Sequence, residues 1–325
     1  MIPEYYGRLA CLSFAAFFIV HTAVGAGVLV LAPSALRRAA GMTSRSAERL
    51  LLWLRLIPCV VGACAVAGLC IPSYLWLEPR GEAEPLGMSC AAVAGLGIAC
   101  WAISALRTIT ALAHTRAFAR SCQDAGMRMS LPGFAAPVLV VETPKPVLAL
   151  AGIRRPQIIL SRGIFEALEQ EELGAALRHE EAHRNSRDNW KRLVMRLVPE
   201  ILPFARCFAA LERDWAKFSE WAADDAASAG DSQSALSLAS ALVQVAQLGQ
   251  ARQPELAASF TACGSGLEAR VERLLHVDAR HPIARRNASA VRQRAVLLAG
   301  AAAAAMVLLP GALACVHGLL ERLIR

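Results

Sequence analysis

Charged and aromatic residues are both scarce in this chain of 325 residues, making up 18% and 6% of it. The sequence also has no glycine-rich phosphate loop, no internal repeat and no low-complexity tail. Without a glycine-rich loop, the sequence has no P-loop nucleotide site. Without a repeat, it is not a solenoid, and it has no compositionally biased tail.

The ten cysteines contain no CxxC pair, so we do not predict a disulfide framework. Cys122, Cys207 and Cys263 lie in polar segments and are expected to be free thiols, which fits a reducing compartment. The others lie in or beside apolar runs, where cysteine is normally a small packing residue: Cys11, Cys59, Cys64, Cys70, Cys90, Cys100 and Cys315.

Apolar residues, in contrast, are abundant, at 56% of the chain with a mean hydropathy of +0.42. They are concentrated in four runs without a charge, at Leu9–Ala32, Ile57–Trp76, Leu86–Leu106 and Ala295–Leu320. Each run has about 20 residues or more, enough to cross roughly 30 Å of hydrocarbon. Buried core helices are the alternative, but these are usually shorter and carry a polar stripe. We predict four membrane spans, the first of them too long for a cleaved signal peptide.

The net charge of +8 comes from arginines that flank these runs, which indicates membrane topology rather than direct nucleic-acid binding. The loop between the second and third runs has three glutamates and one arginine. By the positive-inside rule, both termini are expected outside and the long segment 107–294 in the cytoplasm. The flanking arginines are Arg37, Arg38, Arg45, Arg49, Arg107, Arg116, Arg120, Arg128, Arg280, Arg285, Arg286, Arg292 and Arg294.

The chain is therefore predicted to divide into three spans at 1–114, a cytoplasmic domain at 115–290 and a fourth span at 291–325. Helix-forming residues dominate the domain from Ser161 to about Leu248. Before them, β-branched runs separated by Pro and Gly predict three strands: Val138–Val141, Val147–Ala151 and Gln157–Leu160.

The segment 193–211 is more apolar than a soluble linker should be, and Pro199 and Pro203 interrupt its helical pattern. It is too short and too charged to span a bilayer. Two interpretations stay open: a core helix of the domain, or a segment on or dipping into the membrane face.

Residues 179–183 read HEEAH, on a predicted helix. His179 and His183 are one turn apart and project from the same face, so two imidazoles can bind one ion. Glu180 lies about 100° round the helix from His179, where a carboxylate can take a proton from the attacking water. The motif predicts a catalytic zinc site; the alternative is a solvated surface helix.

Glu220 follows at a suitable distance on a later helix and supplies a third ligand. Two histidines, one glutamate and an open position are a common catalytic zinc set. Asp224 lies one turn after Glu220 and is expected to orient an imidazole. Asp225 is its competitor, but it points about 100° away.

The stretch from Gly152 to Asn189 resembles the BlaR/MecR-type membrane metallopeptidases. That family has a Gly-x-x-x-Pro strand ending in Leu, a Leu-x-x-x-Glu-Leu stretch, HExxH and then Arg-Asp-Asn. Later elements, Glu-x-x-Ala-Asp and Arg-Val-x-x-Leu-Leu, have counterparts at 220–224 and 270–275. The other matching residues are Gly152, Pro156, Leu160, Leu168, Glu172, Leu173, His179, Glu180, His183, Arg187, Asp188 and Asn189.

The resemblance implies a gluzincin-like domain in which His179, His183 and Glu220 ligate one zinc per chain and Glu180 is the catalytic base. It further implies supporting roles for Asp224 and Asp188 beside the ligands, and a substrate contact for Arg270. The layout of three spans, a cytoplasmic domain and a fourth span also matches.

The drug-sensing members of that family continue past the last span into an extracellular penicillin-binding domain with a nucleophilic serine. This sequence stops at Arg325 and contains no S-x-x-K pattern. We therefore expect no direct β-lactam binding, and the resemblance does not carry over the sensing function.

Together these features predict a polytopic α-helical membrane protein with four transmembrane helices and an inserted α+β gluzincin-like zinc peptidase domain. The expected function is cleavage of a cytoplasmic or membrane-proximal protein, such as a repressor, in regulation or signalling. The expected location is the bacterial inner (plasma) membrane, with the active site facing the cytoplasm. Two alternatives are an HtpX-like quality-control protease and a catalytically silent membrane scaffold with structural zinc.

Overall fold

A computed structural model describes residues 2–78, 87–134, 137–249, 258–259, 266–276 and 318. Its amino-terminal part consists of long apolar helices: α1 (Ile2–Ala40), α2 (Ser44–Ala65) continued by a π-helical turn (Val66–Cys70) and α3 (Ile71–Leu77), and α4 (Met88–Ala125). The helical stretches Glu4–Ala40, Ser44–Leu77 and Met88–Ala125 are long and apolar enough to cross a membrane. The first three predicted spans are thus confirmed as such helices. The fourth, Ala295–Leu320, lies outside the described residues except for residue 318.

Proline and glycine shape these helices. The π-helical turn lies just before Pro72. Because proline has no backbone N–H, it cannot donate the hydrogen bond of a regular helix, and the helix is irregular at this point. Gly97 lets α4 approach α1 closely, since a Cβ there would lie 2.7 Å from the backbone oxygen of Phe14. Residues of all three helical stretches also share one buried cluster, so the stretches form one packed bundle.

The three helical stretches are longer than the hydrocarbon core of a bilayer is thick. Helices of 34 to 38 residues are about 50 Å long or more, against roughly 30 Å of hydrocarbon. Because α1 and α2 are antiparallel, the end of α1, the start of α2 and the end of α4 project on one side. The predicted domain boundary at 114/115 falls within α4, which continues to Ala125.

A mixed sheet of five strands follows, in the order β1-β2-β4-β3-β5. β2 is parallel to β4, and the other neighbouring pairs are antiparallel. The three predicted strands are confirmed, while β1 and β5 were not predicted. The strand bounds are β1 (Gly126–Met129), β2 (Val138–Val141), β3 (Leu148–Ala151), β4 (Gln157–Ser161) and β5 (Ala258–Ser259).

Helices cover this sheet and carry the candidate site. One face packs on α6 and α9, and the other on the end of α4 through Phe118 and Cys122. The helices are α5 (Arg162–Ala167), α6 (Gln170–Ser186), α7 (Asp188–Leu197), α8 (Ala209–Ser228), α9 (Ser232–Gln247) and α10 (Leu267–Leu275). The described chain is therefore three apolar helices followed by a helix-rich domain with a small sheet.

The apolar segment 193–211 is divided among the end of α7, an irregular stretch and the start of α8. Ile201 and Phe208 are buried against α1, and a Cβ at Gly25 would lie 2.9 Å from Ile201 Cγ1. Leu202 and Phe204 instead point outward, with 50% and 88% of their surfaces exposed. The segment thus joins the domain to the apolar helices and leaves part of its apolar surface uncovered.

Candidate metal centre

The HEEAH sequence lies near the end of α6. The side chains of His179, Glu180 and His183 are all 0% exposed. The two histidines face the same way, and their Nε2 atoms are 3.1 Å apart. Helix α6 begins with a capping box in which Glu169 and Glu172 bind each other's backbone, fixing the start of the helix.

Helix α8 brings Glu220 to the same point. Its Oε2 lies 3.4 Å from His179 Nε2 and its Oε1 lies 3.6 Å from His183 Nε2. Ligand atoms of a tetrahedral zinc with bonds of about 2.1 Å lie about 3.4 Å apart. The residues present therefore fit a zinc ion, and the ligand atoms of His179, His183 and Glu220 all lie within 4.8 Å of one another.

Two carboxylates fix the orientation of the imidazoles. His183 Nδ1 lies 2.6 Å from Asp188 Oδ2, and His179 Nδ1 lies 3.0 Å from Asp224 Oδ1. A proton held on each Nδ1 leaves the Nε2 lone pairs for a metal. Asp225 is 48% exposed and lies 2.6 Å from Arg273, so it belongs to the surface.

A break in the helix brings Asp188 to His183. Residues five apart in a continuous helix lie about 140° apart round its axis and do not meet. Arg187 adopts a left-handed conformation with φ of 56°, which ends α6 and starts α7 at Asp188. This turn directs the Asp188 carboxylate back to the imidazole.

Arg270 on α10 supports the other side of the site. It is 2% exposed, and its Nε and Nη2 donate to both oxygens of Asp224 at 2.9 and 2.7 Å. Its Nη1 is 3.3 Å from Glu220 Oε2. The guanidinium is thus committed to two carboxylates of the site, and its contact with a substrate stays a prediction.

The two orienting aspartates are ionised at neutral pH. Burial disfavours the charge of Asp224, but Arg270 and His179 outweigh it and lower the pKa of Asp224 to about 2. Burial likewise opposes ionisation of Asp188, yet His183 and Lys191 hold its pKa well below the usual range. Each carboxylate can therefore accept the Nδ1 hydrogen of its histidine.

Glu180 differs from the other acids of the site. Burial raises the pKa of its carboxyl to about 7, although His183 and His179 act in the opposite direction. Among the residues that the structure describes, neither its carboxylate oxygens nor those of Glu220 have a hydrogen-bond partner, but Glu220 has ion pairs with Arg270 and Arg192. A buried carboxyl with a pKa near neutrality suits a group that takes up and releases a proton.

Several supporting residues were not predicted from the sequence. Ser219 Oγ donates to Asp188 Oδ2 at 3.0 Å. Lys191 Nζ lies 2.6 Å from Asp188 Oδ1 and 2.5 Å from Glu48 Oε1, which belongs to α2. Lys191 follows Asp188 by three residues, and this helical spacing could have indicated the contact between the two side chains. Glu48 is 143 residues from Lys191, and no local pattern connects them.

Two histidines one turn apart, a glutamate from a second helix and an adjacent free carboxylate form the arrangement of HExxH metallopeptidases. The family model of Peptidase family M48 matches residues 117–295, more than half of the chain, and the chain belongs to this family. No curated protein was found to match it.

Membership confirms the predicted resemblance at family level, that of an M48-family membrane zinc metallopeptidase of BlaR or HtpX type. It supports a hydrolase, and peptidases of this family depend on zinc. With the apolar helices of the amino-terminal part, the chain has the character of a membrane metallopeptidase.

Proposed function

We propose that this chain is a zinc-dependent endopeptidase held in the membrane by four spans, with its active site on the cytoplasmic side. One observation carries the proposal. Glu180 is a fully buried carboxyl without a hydrogen-bond partner among the described residues, next to three converging ligand atoms. Burying a carboxyl without a hydrogen-bond partner costs free energy. Such groups are concentrated at functional sites, so this one indicates a catalytic role.

In this proposal His179, His183 and Glu220 would hold the zinc. When bound, the ion supplies a Lewis acid that polarises the scissile carbonyl and lowers the pKa of the attacking water. Glu180 accepts the proton of that water and later delivers it to the leaving amine. Asp188 and Asp224 keep the Nδ1 hydrogens in place, so that both imidazoles present Nε2.

The substrate is a protein, either a cytoplasmic regulator such as a repressor or a segment close to the membrane. The packing of the domain on α1 and α2 supports a substrate near the bilayer, because Trp215 and Met195 share a buried cluster with Leu51 of α2. A repressor gene beside this one would favour signalling. Induction by misfolded membrane proteins would favour quality control, as in HtpX-like proteases.

A silent scaffold with structural zinc is the alternative from a different class. Structural zinc sites usually have four protein ligands and no free carboxyl beside them. Within the described part of the chain the site has three such ligands and Glu180, which favours an enzyme. A loss-of-function phenotype that is unaffected by changing Glu180 would support the scaffold.

The first test separates the base from the ligands. Glu180→Gln should keep about one zinc per chain. It should lower peptide hydrolysis by a factor of 100 or more, because the glutamine amide cannot accept the proton of the attacking water. Glu181→Gln is the matched control, because Glu181 is its neighbour but pairs with Arg184 outside the site. His183→Ala should lose the zinc.

Zinc content by metal analysis and hydrolysis of a casein-type substrate provide the two measurements. Loss of zinc in Glu180→Gln would make Glu180 a ligand, and activity near wild type would reject the mechanism. The substrate itself can be sought by comparing membrane and cytoplasmic proteomes of cells that carry wild-type or Glu180→Gln protein.

A further inference from the structure

A cavity lies between the apolar helices and the domain, next to the metal centre but without the metal ligands in its lining. It has a volume of about 260 Å³ and is formed by α2, α4, α7, α8 and the segment between the last two. Its lining includes five arginines and two glutamates: Arg55, Arg107, Arg192, Arg196, Arg206, Glu200 and Glu212. We call it the arginine cavity.

Its positive charge is only partly neutralised. Arg55 is satisfied, since it donates to Glu212 and to the backbone oxygens of Met195, Val198 and Pro199. Arg192, in contrast, has a buried Nε without a hydrogen-bond partner among the described residues. Glu200 also lies 3.7 Å from Arg55, so both glutamates of the lining pair with Arg55, against five arginines in all. The cavity therefore favours an anion.

The cavity lies at the level where two spans leave the bilayer. Arg107 directly follows the charge-free run Leu86–Leu106, and Arg55 stands two residues before the run Ile57–Trp76. In the proposed topology both mark the cytoplasmic border of the hydrocarbon. This is the depth of the lipid phosphates.

Neighbours of the lining residues are apolar and exposed, as expected at a lipid-facing surface. Leu106 and Ile109 on α4 are each 62% exposed, beside Arg107. Leu197 is 43% exposed beside Arg196, and Phe204 is 88% exposed two residues before Arg206. Trp53 on α2 is 57% exposed close to Arg55, at a depth where tryptophan is enriched.

We propose that the arginine cavity binds the phosphate of an anionic phospholipid of the cytoplasmic leaflet, with the acyl chains against the exposed apolar side chains of α4, α7 and residue 204. Arginine forks recognise phosphate oxygens in pairs, and basic pockets between spans on this side bind anionic head groups. The site rests on the proposed membrane topology, but it does not require peptidase activity.

The cavity is next to the metal centre. Arg192 stacks over Trp215 at 5.7 Å, and its Nη2 is 3.5 Å from Glu220 Oε1. An acidic side chain of a peptide substrate is the competing occupant. The lipid is favoured because the lining comes from two spans and the neighbouring surface is apolar, whereas a soluble peptide would meet that surface at a cost.

Binding can be measured on the full chain with zinc bound, in detergent micelles that carry defined lipids. Native mass spectrometry should show one phosphatidylglycerol retained per chain, in preference to phosphatidylcholine. Arg107→Gln combined with Arg196→Gln should weaken this retention about tenfold or more. Arg116→Gln combined with Arg120→Gln changes the net charge equally on exposed positions of α4 and should leave it unchanged.

A second measurement needs no variant. Phosphatidylglycerol should slow amide hydrogen exchange in residues 192–207 of the wild-type chain, and phosphatidylcholine should not. Equal retention of both lipids, equal loss in both double variants, or no protection of 192–207 would overturn the proposal. So would protection by inorganic phosphate or a soluble acidic peptide with none by the lipid.

Discussion

At the scale of single residues, His183 connects metal binding to pH. Burial disfavours its imidazolium, but Glu220 and Asp188 raise the pKa of His183 to about 10. Without metal the ring is therefore protonated at neutral pH, with one hydrogen directed to Asp188 and the other on Nε2. Because a protonated Nε2 cannot be a ligand, zinc must displace this proton.

The apparent zinc affinity should accordingly rise with pH. With one proton released per ion, each pH unit between about 6 and 8 should tighten binding about tenfold. Competition with a chelator of known affinity in buffered zinc measures the slope, and thermal unfolding at each pH confirms that the protein stays folded. A flat profile would mean that no proton is displaced and that His183 is not a ligand.

The sequence was most informative about residues related by helical spacing. His179, Glu180 and His183 follow from one motif on one helix, and Asp224 follows from Glu220 by one turn. Asp188 was reached only through the resemblance, because the left-handed Arg187 turns it toward His183. The bidentate contact between Arg270 and Asp224 joins residues 46 apart, which local spacing cannot predict.

At the scale of elements, α2 is joined to the metal centre. Glu48 of α2 is 0% exposed and forms an ion pair with Lys191. Lys191 also forms an ion pair with Asp188, and Asp188 orients His183. A displacement of α2 along the membrane normal would therefore be transmitted to a proposed ligand. The packing of α2 on the domain therefore includes a contact with a residue that supports the metal site.

Glu48→Gln should weaken zinc binding about tenfold, the lower end of the effect of residues that support metal ligands, because it acts through Lys191. Glu212→Gln is the matched control: Glu212 also binds α2, through Arg55, but has no contact with Asp188. Both variants should lose thermal stability, and only Glu48→Gln should lose zinc affinity. Equal zinc affinity in the two variants would show that α2 and the site are uncoupled.

The elements themselves were predictable where composition or periodicity is strong. The long apolar helices and strands β2, β3 and β4 have such patterns, the strands being buried along most of their length. Strand β1 reads GMRM, without β-branched residues, and β5 has two residues, so neither gives a local signal. Their pairing depends on neighbours in space rather than in sequence.

At the scale of the whole molecule, the distribution of arginines and the packing of the long helices indicate the same membrane topology. The end of α1, the start of α2 and the end of α4 project together, and the helix-rich domain packs on them. Arginines are concentrated on this side, at Arg37, Arg38, Arg45 and Arg49 and again from Arg107 onward. By the positive-inside rule, we propose that the domain lies in the cytoplasm.

Reporter fusions test this topology. Alkaline phosphatase, which is active only outside the cytoplasm, should be inactive when fused near Ser232 and active when fused after Arg325, because the predicted span Ala295–Leu320 would carry it across. Green fluorescent protein, which folds in the cytoplasm, serves as the control and should give the opposite pattern. Active phosphatase at Ser232 would invert the arrangement and place the metal centre outside. Inactive phosphatase at both positions would keep the domain in the cytoplasm and remove the fourth span.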